Sequence, residues 1–189
     1  MKDIFIIDDT GYEDLIIRKS RAYLENTFKS YPITWIYNSK KEGQIVSIDK
    51  IYSLVKTPFI FHCEDDWKFY KTGFIESSLP VLLKYPKCLQ VWLREFYDTN
   101  GHPLVYSNNL WLLTLNYLNR WHGFSFNPGL RRLSDYKLLE KYSKHTIFDR
   151  FQPWKSEVAI GTIYKDKNYF AAILSEGYVH HIGKGRHVD

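Results

Sequence analysis

Cysteine and long apolar runs are scarce in this sequence. It contains only Cys63 and Cys88, too few for a disulfide framework, and its start carries no signal-peptide pattern. Apolar runs such as residues 4–7 and 59–61 fall far short of the ~20 residues that span a bilayer. We therefore expect a reducing, cytoplasmic compartment and no transmembrane segment.

Glycine and proline are also few, at 10 and 7 residues, while 44% of the chain is hydrophobic and 25% is charged. These proportions exclude collagen-like, low-complexity and wholly disordered chains. Acidic residues are the minority charge, since 26 Lys and Arg against 21 Asp and Glu give a net charge of +5. That charge favours an anionic ligand or surface without choosing one. Aromatic residues reach 17%, which suits a core as well as contacts with sugars or bases.

Apolar runs alternate with helical stripes along the first part of the chain. They predict strands over residues 3–8, 33–37 and 59–63, separated by helices over residues 12–28 and 48–55. Strands separated by helices of this length are typical of an α/β fold with a parallel sheet, which binds ligands at the carboxyl ends of its strands. Further elements are predicted as helices over 74–85 (with a break at Pro80), 133–142 and 156–164, as strands over 89–94, 169–174 and 177–182, and as mixed strand over 104–118.

An acidic cluster of Glu64, Asp65 and Asp66 follows the third predicted strand and precedes Trp67. Adjacent carboxylates repel one another, and a hard divalent cation such as Mg²⁺ or Mn²⁺ prefers such oxygen ligands. The cluster therefore indicates a cation site. A solvated strand end or a cap on the next helix is the alternative.

These motifs together resemble nucleotide-sugar glycosyltransferases of the GT-A fold, especially family-two-like enzymes. The strand that ends in Glu-Asp-Asp-Trp at 64–67 resembles their metal-binding D-x-D segment, and it follows an Ile-Ile-Asp-Asp-Thr strand at 6–10. Segments 121–129, 156–161 and 178–183 then keep the order that such enzymes show. The resemblance covers nearly the whole chain.

The resemblance implies a GT-A-like, Rossmann-like fold with a mostly parallel central sheet flanked by helices and a smaller irregular C-terminal acceptor region. We expect one glycosyltransferase domain over residues 1–189, with a nucleotide-sugar-binding half at 1–95 and an acceptor and catalytic half at 96–189. Family members usually begin with a strand and helix that precede the first strand here. We therefore expect a minimal version that lacks the usual first strand, or part of a larger multidomain protein.

Metal and donor residues follow from the same resemblance. Asp66 would ligate Mn²⁺ or Mg²⁺, Glu64 would contact the metal or the donor ribose, and His181 would complete the metal shell, with His180 as its alternative. The donor would be a UDP- or GDP-sugar. Residues expected on the donor side are Asp8, Asp9, Asp65, Lys184 and Arg186. Helix capping by Asp8 or Asp9 and a plain basic tail remain alternatives.

Glu157 is the candidate general base. Direct displacement at an anomeric carbon needs one carboxylate to take the proton of the acceptor hydroxyl, and such a reaction inverts configuration. A first-turn acid that favours the helix dipole is the alternative, and Asp135 and Asp149 are weaker candidates for the base. Residues expected on the acceptor side are Trp67, Trp121, Asn127, Arg131 and Trp154.

The resemblance thus implies a metal-dependent hexosyltransferase that moves a sugar from a nucleotide diphosphate donor to a saccharide or related hydroxyl acceptor, as in polysaccharide biosynthesis. A sugar nucleotidyltransferase is the nearest enzymatic alternative, but it normally carries a Gly-rich basic loop where residues 8–11 read Asp-Asp-Thr-Gly. A non-catalytic module that binds polysaccharide or nucleic acid is the other alternative, although we expect no nucleic-acid partner.

Overall fold

The computed structural model describes residues 3–99, 101–113, 123–146 and 154–183. The chain divides into two compact units, residues 1–56 and 57–189. The prediction of one domain with halves at 1–95 and 96–189 stays a prediction. Among the described residues, each helix is too short or too polar to cross a membrane.

The first unit contains two strands and two helices. Strand β1 (Ile4–Asp8) pairs in parallel with β2 (Ile33–Tyr37), and the helices are α1 (Leu15–Thr27) and α2 (Gln44–Tyr52). Asp14 begins α1, because its carboxylate accepts the Ile17 N–H at 2.8 Å. The alternation of strand and helix predicted from the sequence is therefore confirmed here, and capping of α1 by Asp8 or Asp9 is wrong.

The second unit contains the other elements. Its strands are β3 (Phe59–His62), β4 (Trp67–Phe69), β5 (Cys88–Trp92), β6 (Leu104–Ser107), β7 (Leu110–Leu113), β8 (Gly129–Arg132), β9 (Phe170–Ile173) and β10 (Val179–His181). Its helices are α3 (Phe74–Lys84), α4 (Leu133–Lys137), α5 (Trp154–Asp166) and a 3-10 helix over Tyr142–His145. The central sheet has the strand order β3-β8-β5-β9-β7-β6, and β4 pairs separately with β10.

The prediction of a mostly parallel sheet is wrong for the pairing in this unit. In the described part of the central sheet, only β5 and β9 form a parallel pair, while the other four neighbouring pairs are antiparallel. The reason is that β8 and β7 run against the other four strands, and β8 lies between β3 and β5. Strand β8 was not predicted from the sequence, because a four-residue strand with two arginines lacks an apolar pattern.

The core of the second unit lies around β5, whose five residues are all buried. Leu82 of α3 packs there against Cys88 and Val91, together with Leu130 of β8 and Ala172 of β9. Strands buried on both faces read as continuous apolar runs, and this is why β5 was predictable.

Two helix predictions need correction. Helix α3 continues through Pro80, so the predicted break is wrong, although proline has no N–H to donate to the Glu76 carbonyl. The helix predicted over 133–142 ends early, as α4 stops at Lys137 and Glu140 adopts a positive φ of 61°.

Candidate functional site

The pairing of β4 with β10 brings Asp66 and His181 together across 115 residues of sequence. His181 lies opposite Trp67 in this ladder, and the Ile182 N–H donates to the Asp66 carbonyl oxygen at 2.8 Å. As a result, Nε2 of His181 lies 2.9 Å from Oδ2 of Asp66. Two of the three residues predicted to hold a metal are therefore in direct contact.

The other oxygen of Asp66 makes this pair suited to a cation. Oδ1 of Asp66 is buried and has no hydrogen-bond partner among the described residues. A buried acceptor without a partner is costly, and a divalent cation there would satisfy it. Carboxylate oxygen and imidazole nitrogen are both ligands that Mn²⁺ accepts, so Asp66 and His181 are two residues that could contribute to holding such an ion.

The remaining acids and the second histidine are placed differently. Glu64 is half-buried and Asp65 is exposed, and in the described part of the chain no group of three His, Cys, Asp or Glu residues could hold a metal. The metal and donor roles of Glu64 and Asp65 therefore stay predictions. The His180 ring packs at a tilt against Tyr70 with 4.5 Å between centroids, and His181 is the histidine that reaches Asp66.

Trp67 packs beside the Asp66–His181 pair. Its side chain is only 8% exposed, and its ring lies 4.9 Å from the His181 ring and 5.2 Å from the Arg94 guanidinium. Arg94 is itself fixed by two hydrogen bonds to Asp98, at 2.6 and 3.0 Å. The predicted position of Trp67 on the acceptor side stays a prediction, and in the structure Trp67 packs next to the histidine. Arg94 was not among the site residues predicted from the sequence. Its position just after β5 is the sequence feature that could have identified it.

Glu157 lies in the first turn of α5 and is held through one oxygen. Its Oε1 accepts the Phe126 N–H at 2.7 Å and the Ser125 hydroxyl at 3.1 Å. Burial raises the pKa of Glu157 above its ordinary value, although these hydrogen bonds and the positive charges of Arg131 and Arg94 oppose that rise. A carboxylate with an elevated pKa and one oriented oxygen has the properties of a general base.

Residues 123–127 include both residues that donate hydrogen bonds to Glu157. Buried polar side chains hold this segment in place through hydrogen bonds to its backbone. Trp92 Nε1 donates to the Gly123 carbonyl at 3.1 Å, and Arg131 donates to the Ser125 carbonyl at 2.9 Å. Arg131 is only 2% exposed. It therefore serves the interior of this unit, and its expected contact with an acceptor stays a prediction.

The other residues named from the sequence have these positions. Asn127 and Trp154 are half-buried, and their acceptor roles stay predictions. Asp135 is buried, ion-paired with Arg132 at 2.9 Å and bonded to the Tyr169 hydroxyl at 3.0 Å, which are structural contacts. Trp121, Asp149, Lys184 and Arg186 lie outside the described residues.

In the first unit, Asp8 and Asp9 are engaged in local contacts. Asp8 accepts hydrogen bonds from Arg21 at 2.9 Å and from the Thr10 N–H at 2.8 Å. Asp9 holds the loop before α2, because it accepts the Gly43 N–H at 2.7 Å and the Glu42 N–H at 2.8 Å. Their expected contact with a nucleotide stays a prediction.

Comparisons with known proteins address the fold. No protein-family model matches this sequence, and no curated protein sequence matches it. Among solved structures, the chain is similar to the mannosyltransferase PcManGT from Pyrobaculum calidifontis in complex with GDP-Man and Mn²⁺, at a TM-score of 0.60 and 10% identity. The similarity covers 92% of this chain and 47% of that chain, so this chain spans about half the length of its structural neighbour. The chain therefore has a mixed α/β fold of the kind found in a glycosyltransferase.

Proposed function

We propose that this chain is a metal-dependent glycosyltransferase domain of the GT-A type, which moves a hexose-type sugar from a nucleotide diphosphate donor to a saccharide or related hydroxyl. The observation that carries the proposal is the contact between His181 and Asp66, whose second carboxylate oxygen is buried without a partner. The structural neighbour, a mannosyltransferase in complex with GDP-Man and Mn²⁺, supports a nucleotide-sugar donor.

On this proposal, Asp66 and His181 would hold a Mn²⁺ or Mg²⁺ ion. Such an ion would supply the positive charge that stabilises a departing nucleoside diphosphate. Glu64, which precedes Asp66 by two residues and is half-buried, is the proposed further contact to the ion or the donor ribose. The donor contacts expected of Asp8, Asp9, Asp65, Lys184 and Arg186 stay predictions.

Glu157 is the proposed general base. It takes the proton of the acceptor hydroxyl while the acceptor oxygen forms a bond to the anomeric carbon and the bond from that carbon to the diphosphate oxygen breaks. Oε1 of Glu157 is occupied by Ser125 and Phe126, whereas Oε2 has no hydrogen-bond partner among the described residues. Oε2 is therefore the oxygen that would accept the proton, and the displacement would invert the anomeric configuration.

The proposal is tested with a panel of UDP- and GDP-sugars in the presence of Mn²⁺, scored for release of the nucleoside diphosphate with and without saccharide acceptors. We expect release from at least one donor and its loss on chelation. Asp66→Asn should reduce it to the level of the metal-free protein.

Asp166→Asn is the matched control, because it removes one negative charge from an exposed residue at the end of α5. It should keep wild-type turnover. Mn²⁺ binding, followed by electron paramagnetic resonance, should weaken in Asp66→Asn only. Unchanged Mn²⁺ binding and turnover in Asp66→Asn would overturn the assignment.

A further inference from the structure

We infer that Ser125 is a positioning residue that orients the Glu157 carboxylate, an inference that rests on the proposed role of Glu157 as base. The Ser125 hydroxyl donates to Oε1 of Glu157 at 3.1 Å, and the Phe126 N–H donates to the same oxygen at 2.7 Å. Two donors on one oxygen fix the plane of a carboxylate and leave its other oxygen available.

The direction of the Ser125 hydroxyl is set by its own neighbours. The Asn127 N–H donates to Oγ of Ser125 at 3.1 Å, so the serine oxygen accepts one hydrogen bond and its proton is left for Glu157. The three groups form a chain from Asn127 through Ser125 to Glu157. Consecutive hydrogen bonds of this kind polarise and strengthen one another inside a protein.

The backbone of Ser125 is held on both sides. Its N–H donates to Oε1 of Gln90 at 3.3 Å, and its carbonyl accepts from Arg131 at 2.9 Å. Both partners come from the central sheet, since Gln90 belongs to β5 and Arg131 to β8. Ser125 is 4% exposed, so its position in the core is fixed. It can therefore orient the Glu157 carboxylate, which comes from α5.

The Ser125 hydroxyl also affects the charge of Glu157. A hydrogen bond to the ionised carboxylate favours the ionised form. The charged groups that act on Glu157 from the surrounding elements are Arg131 of β8 and Arg94, which follows β5. Because these cations remain when Ser125 changes, the effect of the hydroxyl alone is measurable.

The test is the titration of Glu157 in protein labelled with ¹³C at the glutamate carboxyl carbons, with Glu157→Gln used to assign the signal. In Ser125→Ala we expect the midpoint to rise by about one pH unit, the equivalent of one hydrogen bond to a charged group. The acid limb of the kcat/KM profile should move in the same direction. Ser125→Thr, which keeps the hydroxyl, should restore most of the wild-type behaviour.

Ser78→Ala is the matched control. It removes another fully buried serine hydroxyl, one that donates to the Phe74 carbonyl within α3 at 2.7 Å. It should leave the Glu157 midpoint unchanged, which separates an effect on the carboxylate from a general loss of stability. If Ser125→Ala does not fold, Ser125→Cys, whose thiol is a weak donor, should show a smaller rise.

The titration needs no turnover, so the two proposals fail separately. An unchanged Glu157 midpoint in folded Ser125→Ala, or in Ser125→Cys if the alanine variant does not fold, would overturn the positioning role, even in a protein that transfers sugar. A raised midpoint in a protein that turns over no nucleotide sugar would overturn the proposed function and leave the hold of Ser125 on Glu157 in place.

Discussion

A Cβ atom added at Gly183 would lie 2.6 Å from Oδ2 of Asp66 and 3.0 Å from Nε2 of His181. The backbone after β10 therefore closes around the contact between these two side chains. The same Cβ would lie 2.8 Å from the Cβ of Asp66, so a rotation of the Asp66 side chain alone does not make room. Only glycine fits this position without displacing the Asp66–His181 pair.

We predict that Gly183→Ala weakens Mn²⁺ binding by about tenfold or more, the effect typical of changes that misplace a ligand. The added methyl group must push the Asp66 carboxylate or the His181 ring away from the observed contact. Isothermal titration with Mn²⁺ measures the change. Ile182→Ala is the control, because the Ile182 side chain is exposed and its N–H still reaches Asp66; equal affinities in the two variants would contradict the prediction.

A second prediction concerns Arg132, which lies at the end of β8 and ties three segments together. Its guanidinium donates to the carbonyls of Cys88 and Tyr85 at 2.8 and 2.9 Å, to the Leu82 carbonyl, and to Asp135 at 2.9 Å. Arg132→Met leaves the buried Asp135 carboxylate without its cation. We expect a loss of about 3–5 kcal/mol in the free energy of unfolding, measured by urea denaturation.

The control for Arg132 is Lys71→Met. Lys71 forms an ion pair with Glu176 at 3.0 Å, and both side chains are largely exposed. Exposed pairs contribute little to stability, so the midpoint of Lys71→Met should stay near that of the wild type. Equal midpoints for the two variants would contradict the role given to Arg132.

Much of the fold is predictable because the responsible residues are neighbours in sequence. The apolar runs at β1, β2 and β3 are local patterns, and the structure follows them closely. The stripe predicted as a helix over residues 48–55 also falls on a helix, but α2 spans Gln44–Tyr52 and so begins and ends earlier than predicted. Strand β4 was not predictable, since three residues are too few for a pattern. It exists because β10 pairs with it, and that pairing is a tertiary effect.

The candidate site was predictable only in part. The acids at 64–66 stand out in the sequence, but the contact of Asp66 with His181 depends on strand pairing between segments 115 residues apart. The proposed role of Ser125 could not be predicted from the sequence, because a serine in an aromatic segment has no charge and belongs to no motif with a defined spacing. Its significance comes from the buried groups that converge on it from β5, β8 and α5.

A third prediction concerns the pH dependence of stability through Asp9. Burial raises the pKa of Asp9, but the hydrogen bonds from Glu42, Asn38 and Gly43 outweigh that effect, and the pKa lies below its ordinary value of 3.8. A carboxylate with a lowered pKa in the folded state stabilises the protein above its unfolded pKa. This contribution is lost as the pH falls through the lowered value.

We therefore expect Asp9→Ala to lower the free energy of unfolding by about 1–2 kcal/mol at pH 7, as the loss of a capping carboxylate does. The difference from the wild type should shrink below pH 3.8, and thermal melts across pH 3–7 measure it. Trypsin should also cut faster after Lys40 or Lys41, because Asp9 no longer anchors the adjoining loop. Asp3→Ala removes an exposed acid of the same unit and should change neither measurement.

The fourth prediction separates the chemistry of Glu157 from its contribution to stability. Loss of a general base slows a reaction by about 10²–10⁴-fold, so Glu157→Gln should lower kcat for transfer by that factor. Binding of the donor and of Mn²⁺ should be unchanged, because neither depends on Glu157 in the proposed mechanism. A kcat within a few-fold of the wild type would assign the base elsewhere.

Glu157→Gln should lower kcat but should not lower the free energy of unfolding at pH 7. Burial raises the pKa of Glu157 above its ordinary value of 4.5, so the ionised carboxylate costs the folded state free energy. Wild-type stability should therefore fall as the pH rises from 4.5 towards the raised pKa of the folded protein. Glutamine keeps an oxygen for the Ser125 and Phe126 donors and carries no charge, so urea denaturation at pH 7 should find the variant at least as stable as the wild type. If the variant is less stable than the wild type at pH 7, the negative charge of Glu157 stabilises the fold. Glu157 would then be a structural acid and not a general base.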